Sequence, residues 1–149
     1  MKKVMLLHGV NHNMFGKRDP KQYGTITLDE INKKVNDLAE ELGIEVTNFQ
    51  TNNEGEFIDK IHEAYLQGYD GVMLNAGAWT HYSHAIGDAL RILECPVIEL
   101  HMSNVHAREE FRHHSVISPI ASGIIVGLGS SVYTLGLRAF DDIFRGNNH

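Results

Sequence analysis

Five short apolar runs punctuate the chain: Val4 to His8, Ile44 to Gln50, Gly71 to Asn75, Pro96 to His101 and Gly123 to Gly127. Each is followed by a polar-capped amphipathic stretch, and that alternation predicts a parallel sheet with helices on both faces. The clearest helix lies between the first two runs, where Leu28, Ile31, Val35, Leu38, Ala39 and Leu42 fall on one face. Thr27-Leu28-Asp29-Glu30 matches a capping box, and Gly43 stands where a left-handed terminating residue is wanted. Further helices are expected over 54–67, 83–94 and 131–144, and the polar tail 145–149 is expected to fray. Five βα units in 149 residues imply one domain, 1–149, of the α/β class. The expected architecture is a flavodoxin-like doubly wound five-stranded parallel sheet of order 2-1-3-4-5.

Ligands in such folds bind beyond the carboxyl ends of the strands, where the strand order reverses between strands 1 and 3. The segment Gly9 to Ile26, between strand 1 and the first long helix, is too long for a plain connection and reads as a functional lid. It carries Asn11, Asn13, Lys17, Arg18 and Tyr23.

Composition narrows the chemistry. Thirteen basic against nineteen acidic residues give a net charge of −6, no footprint for nucleic acid or anionic lipid. The single cysteine, Cys95, has no second thiol for an internal disulfide, which fits a reducing, cytoplasmic setting. The apolar run at the N-terminus is too short for a secretory leader. Residues 115–137 carry no charge, yet Pro119, glycines and serines interrupt them, so no membrane span is expected. A small-molecule ligand is the reading that remains.

Candidate side chains gather at the strand ends. Asn11 follows strand 1 and Asn75 follows strand 3. Glu99, His101 and Ser103 share one face of strand 4 by alternation. A carboxylate beside an imidazole orients the ring for proton transfer, although a histidine capping a strand end is the bland alternative. Asn75-Ala76-Gly77-Ala78 forms a turn whose amides and following helix could receive a carboxylate, or it is an ordinary βα turn. His81, His84 and Asp88 are spaced for one helical face, where polar groups lining a pocket explain them as well as a metal does. Arg108 and Arg112, four apart, would share a helical face and grip hydroxyls or a carboxylate, or pair with Glu109 and Glu110. No nucleophile elbow follows His8-Gly9, Gly127-Leu128-Gly129 lacks the rest of a dinucleotide fingerprint, and no lysine ends a central strand for a Schiff base.

Together these residues resemble the type II 3-dehydroquinate dehydratases of the shikimate pathway. Residues 9–24, reading G-V-N-H-N-M-F-G-K-R-D-P-K-Q-Y-G, are similar to that family's G-P-N-x-N-x-x-G-x-R-x-P-x-x-Y-G. Residues 50–56 resemble its Q-S-N-x-E-G-E, Asn75 to Ala78 with His81 and Asp88 form a third block, and 99–112 are close to its E-V-H-x-S-N-x-x-A-R-E-x-F-R. The resemblance implies dehydration of 3-dehydroquinate to 3-dehydroshikimate without metal or cofactor, by a dodecamer of four trimers. It implies Tyr23 as the base at C2, His101 as the acid for the departing C1 hydroxyl, Arg18 as transition-state stabiliser and Asn11 as a water-mediated support for the enolate. Glu99 stands beside His101 in the catalytic set. Asn75, His81, Arg108, Arg112 and the backbone of Met102 and Ser103 would hold substrate, with Asp88 acting at a subunit interface near the site. A phenol ionises near pH 10, so a tyrosine base needs cations beside it, and Arg18 shares the loop with Tyr23. Three positions depart from the pattern: Val10 for proline, His12 for a common leucine, and Gly87 where many members carry arginine. A non-reacting relative that binds a similar cyclohexane carboxylate is the competing reading, and a flavodoxin-like binding module is the third.

Overall fold

The computed structural model describes residues 1–148. Strands β1 (Lys3–His8), β2 (Glu45–Gln50), β3 (Gly71–Asn75), β4 (Val97–His101) and β5 (Gly123–Val126) form one parallel sheet in the order β2-β1-β3-β4-β5. The helices are α1 (Pro20–Tyr23), α2 (Leu28–Leu42), α3 (Glu54–Leu66), α4 (His84–Leu90) and α5 (Ser131–Arg145). The order reverses at β1 and β3, as expected.

Alternation along the strands divides the core into two layers. Val4, Leu6, Met73, Ile98 and Leu100 face α2 and α5, meeting Ile31, Val35, Tyr133 and Phe140. Met5, Leu7, Val72, Leu74 and Val97 face α3 and α4, meeting Phe57, Ile61, Ile86 and Leu90. Burying both faces is what commits β1, β3 and β4 to the centre of the sheet. The capping box at α2 forms in full: Thr27 Oγ1 accepts from Glu30 N, and the Glu30 carboxylate accepts from the Thr27 amide, with Gly43 left-handed at the other end.

Two expectations need correction. The helix expected over 83–94 is only His84–Leu90: Ser83 caps its start, Tyr82 is non-helical at φ −152°, ψ −10°, and His81 belongs to the preceding 3-10 turn Gly77–His81. His81, His84 and Asp88 therefore do not share a helical face. Gly87 lies inside this short helix with the Val116 carbonyl 3.4 Å from where a Cβ would be, so a side chain there would press on the 115–121 segment. Arg108 and Arg112 also share no helix, because that polar stretch folds as two 3-10 turns, Val105–Ala107 and Glu110–His113, with Arg108 between them. No apolar periodicity exists in 104–114 to hold a longer helix against the sheet. Of the tail, residues 146–148 are exposed and His149 lies outside the described residues.

Candidate active site

The loop after β1 is anchored before it reaches the site. Gly9 N donates to the Asn75 carbonyl at 2.8 Å, and a Cβ on Gly9 would lie 2.6 Å from the Ala76 oxygen, so only glycine permits that approach. Gln50 Nε2 donates to the Gly9 carbonyl and Asn52 Oδ1 accepts from Asn11 N. Those two bonds explain why the Q-T-N-N block belongs with the loop. Asn11 is left-handed at φ 70°, a conformation asparagine tolerates.

Tyr23 is set by a helix of one turn. Asp19 caps it, Pro20 stands at the first helical position, and Gly24 ends it at positive φ. The phenol packs against Phe15, with the Arg18 guanidinium over its ring at 4.0 Å. Tyr23 Oη accepts from Arg18 Nη2 at 3.0 Å and from Arg108 Nη1 at 2.9 Å. Two cationic donors on one phenol oxygen stabilise negative charge there. Arg108 was expected among groups that hold substrate; here the same Nη1 also donates to Ser103 Oγ, so it ties the loop after β4 to the loop after β1. Sequence reasoning had no signal for this pairing.

His101 and Glu99 project from the same face of β4, both buried, with His101 Nε2 donating to Glu99 Oε2 at 2.5 Å. Ser115 Oγ and Ser118 Oγ also donate to the Glu99 carboxylate. Burial alone would push that carboxyl up, but hydrogen bonds and charge from His101 and the bonds from Ser118 and Ser115 outweigh it and hold it below the ordinary value. Glu99 is thus a carboxylate that orients the ring and leaves Nδ1 available to a ligand. Both serines escaped sequence reading, since they lie in a separate loop.

Asn75 is fixed by Tyr133, whose hydroxyl accepts from Asn75 Nδ2 at 2.9 Å, while Asn75 Oδ1 accepts from Gly77 N. His81 Nδ1 donates to the His114 carbonyl at 2.8 Å, and its ring stacks over His101 at 6.3 Å. Burial, against that backbone bond, favours the neutral His81 ring. Arg112 Nε donates to Glu109 at 3.1 Å and lines the same space.

These groups surround a cavity of about 130 Å³ at the carboxyl ends of β1, β3 and β4. Asn11, Arg18, Tyr23, Asn75, His81, His101, Met102, Ser103, Arg108 and Arg112 all line it; Glu99 sits behind His101, and Asp88 is exposed on α4 and does not reach it. Three guanidiniums and no carboxylate face the cavity, although the chain as a whole carries −6. Such a site draws in an anion. Among the described residues no group of three His, Cys, Asp or Glu side chains is disposed to hold a metal, and no helix is long and apolar enough to cross a membrane.

Residues 2–141 match the family described as dehydroquinase class II. The chain belongs to that family. The 3-dehydroquinate dehydratase of Syntrophotalea carbinolica is 57% identical over 148 residues, 99% of this chain and 100% of that protein. That of Leptothrix cholodnii is 59% identical over 136 residues, covering 91% of each. Among solved structures, the type II dehydroquinase of Propionibacterium acnes superposes with a TM-score of 0.91 at 42% identity, covering 95% of this chain and 97% of that one. The class II dehydroquinase fold, including the strand order read from the sequence, is therefore that of this chain.

Proposed function

We propose that this class II dehydroquinase removes water from 3-dehydroquinate to give 3-dehydroshikimate by anti elimination through an enolate, without cofactor. The observation that carries the reading is the convergence of Arg18 and Arg108 on Tyr23 Oη in the same cavity as the Glu99-oriented His101. Tyr23, as phenolate, takes the C2 proton α to the ketone. Charge then builds on the carbonyl oxygen, where oriented donors stabilise it more than water does. Arg18 supports that charge, and Asn11 reaches the enolate through a water. His101 gives a proton to the leaving C1 hydroxyl, the Glu99 carboxylate balancing the imidazolium. The cationic lining receives the substrate carboxylate, with Asn75, His81, Ser103 and Arg112 and the Met102 backbone fixing the ring. No lysine lines the cavity, which favours an enolate over a Schiff base.

The resemblance extends the reading to a cytoplasmic dodecamer of four trimers, in which Asp88 acts at a subunit interface near the site; its exposure on α4 fits that role. Substrate deuterated at C2 on the face anti to the hydroxyl tests the stereochemistry. Product free of label agrees with anti elimination, and product that keeps the label overturns it.

A further inference from the structure

His12 departs from the leucine common in the family, yet its side chain is built into the site. The residue is 2% exposed, its ring stacks on Phe15 at 4.7 Å, and it lines the cavity. Nδ1 accepts at 3.0 Å from the Gly9 N–H, which it shares with the Asn75 carbonyl. A peptide N–H can only donate, so Nδ1 must carry the lone pair, and the ring proton of a neutral imidazole then sits on Nε2. Burial, reinforced by His8, Arg18 and His101, keeps the ring neutral by holding its pKa well below the ordinary value. Nε2 makes no hydrogen bond to the described residues and, unlike the buried Nδ1 of His8, it is accessible from the cavity. It lies 3.1 Å from where a Cβ on Gly77 would be, and Gly77, at φ +61°, keeps that side open.

The ring is buried but this donor opens onto a ligand cavity and has no protein partner, so what occupies the cavity must accept its proton. We infer that His12 Nε2–H is a neutral hydrogen-bond donor to an oxygen of the bound cyclohexane carboxylate. Three guanidiniums already supply charge to the cavity; His12 adds direction without charge. This deepens the dehydratase reading and rests on it. A leucine at the same position fills similar volume and leaves the ligand oxygen to water.

The test compares native protein with His12→Leu and His12→Gln, the glutamine amide being long enough to restore a donor. Quinate affinity is measured by calorimetry, and KM and kcat are measured with 3-dehydroquinate. A neutral hydrogen bond corresponds to about a 3- to 10-fold change in binding. His12→Leu should weaken quinate binding and raise KM by that factor with little change in kcat or melting temperature, and His12→Gln should recover most of it. Side-chain nitrogen NMR of the ligand-free protein should show Nε2 protonated and Nδ1 bare, with the Nε2 proton shifting when quinate is added. Unchanged affinity in His12→Leu, or a proton on Nδ1, would overturn the assignment. Loss of the dehydratase reading would show separately, as native protein that binds quinate through His12 but leaves 3-dehydroquinate unconverted.

Discussion

Arg108 Nη1 lies 2.9 Å from Tyr23 Oη although 85 residues separate the two in the chain. The contact joins the loop after β4 to the lid after β1, and Ser103 Oγ, 3.0 Å from the same nitrogen, fixes its origin. The placement of the loop after β1 and the electrostatics of the phenol thereby rest on the same contact.

Replacing Arg108 by alanine removes a charge-assisted hydrogen bond, about 1.5–3 kcal/mol, and should lower kcat by about 10- to 100-fold. Arg108→Lys should recover only part of the loss: one nitrogen, Nη1, serves both Tyr23 and Ser103, but an ammonium sits on a shorter, flexible stem without the guanidinium plane. Steady-state kinetics with 3-dehydroquinate checks both; a lysine variant as active as native protein would mean that one positive charge suffices there.

Tyr23→Phe keeps the ring against Phe15 and removes the oxygen. Turnover should fall to background while quinate still binds within a few-fold of native affinity, as calorimetry would show. Most activity remaining would exclude Tyr23 as base.

Removal of the acid in His101→Ala should cost about 10²- to 10⁴-fold in kcat. Glu99→Gln should cost less, since Ser115 and Ser118 still hold the side chain while the ring loses its anion. The alkaline limb of its pH profile, on which the acid is lost, should also move to lower pH. An unchanged profile would mean that Glu99 positions nothing.

Tyr133→Phe leaves the buried Asn75 amide without its acceptor. Stability should fall by about 1–3 kcal/mol, read by denaturant unfolding, and KM should rise because Asn75 is freed to rotate.

Stability should also fall with acid. His8 is fully buried, with Nε2 bonded to Asn32 and Nδ1 without a partner, and burial lowers its pKa to about 4. The unfolded chain takes up the proton near pH 6.5 while the native state resists it, so stability is complete above 6.5 and declines until about pH 4. Between pH 7.5 and 5 this amounts to about 2 kcal/mol from His8, and the buried His12 adds in the same direction. His8→Gln should flatten that part of the curve.

The elements that pack were readable because packing imposes a period. Ile31, Val35 and Leu38 named their helix face, and strand alternation placed Glu99 beside His101 before any coordinates. Contacts carried by irregular backbone left no such trace. Residues 104–114 have no apolar repeat, and their fold is set by Asn104 capping, 3-10 turns and the reach of Arg108 to Tyr23. Ser115 and Ser118 read as breakers of an apolar run, whereas their hydroxyls hold Glu99. His12 stood out only as a departure; its tautomer follows from the Gly9 amide, which pattern alone does not reveal.

The most direct test of the central claim follows the ultraviolet absorbance of the conjugated enone after 3-dehydroquinate is added to native protein. Chelator-stripped protein, borohydride-treated protein and Tyr23→Phe are run alongside. A cofactor-free dehydratase with a tyrosine base predicts a rise in the first three samples and none in the fourth. No rise in native protein, or an equal rise in Tyr23→Phe, would contradict it.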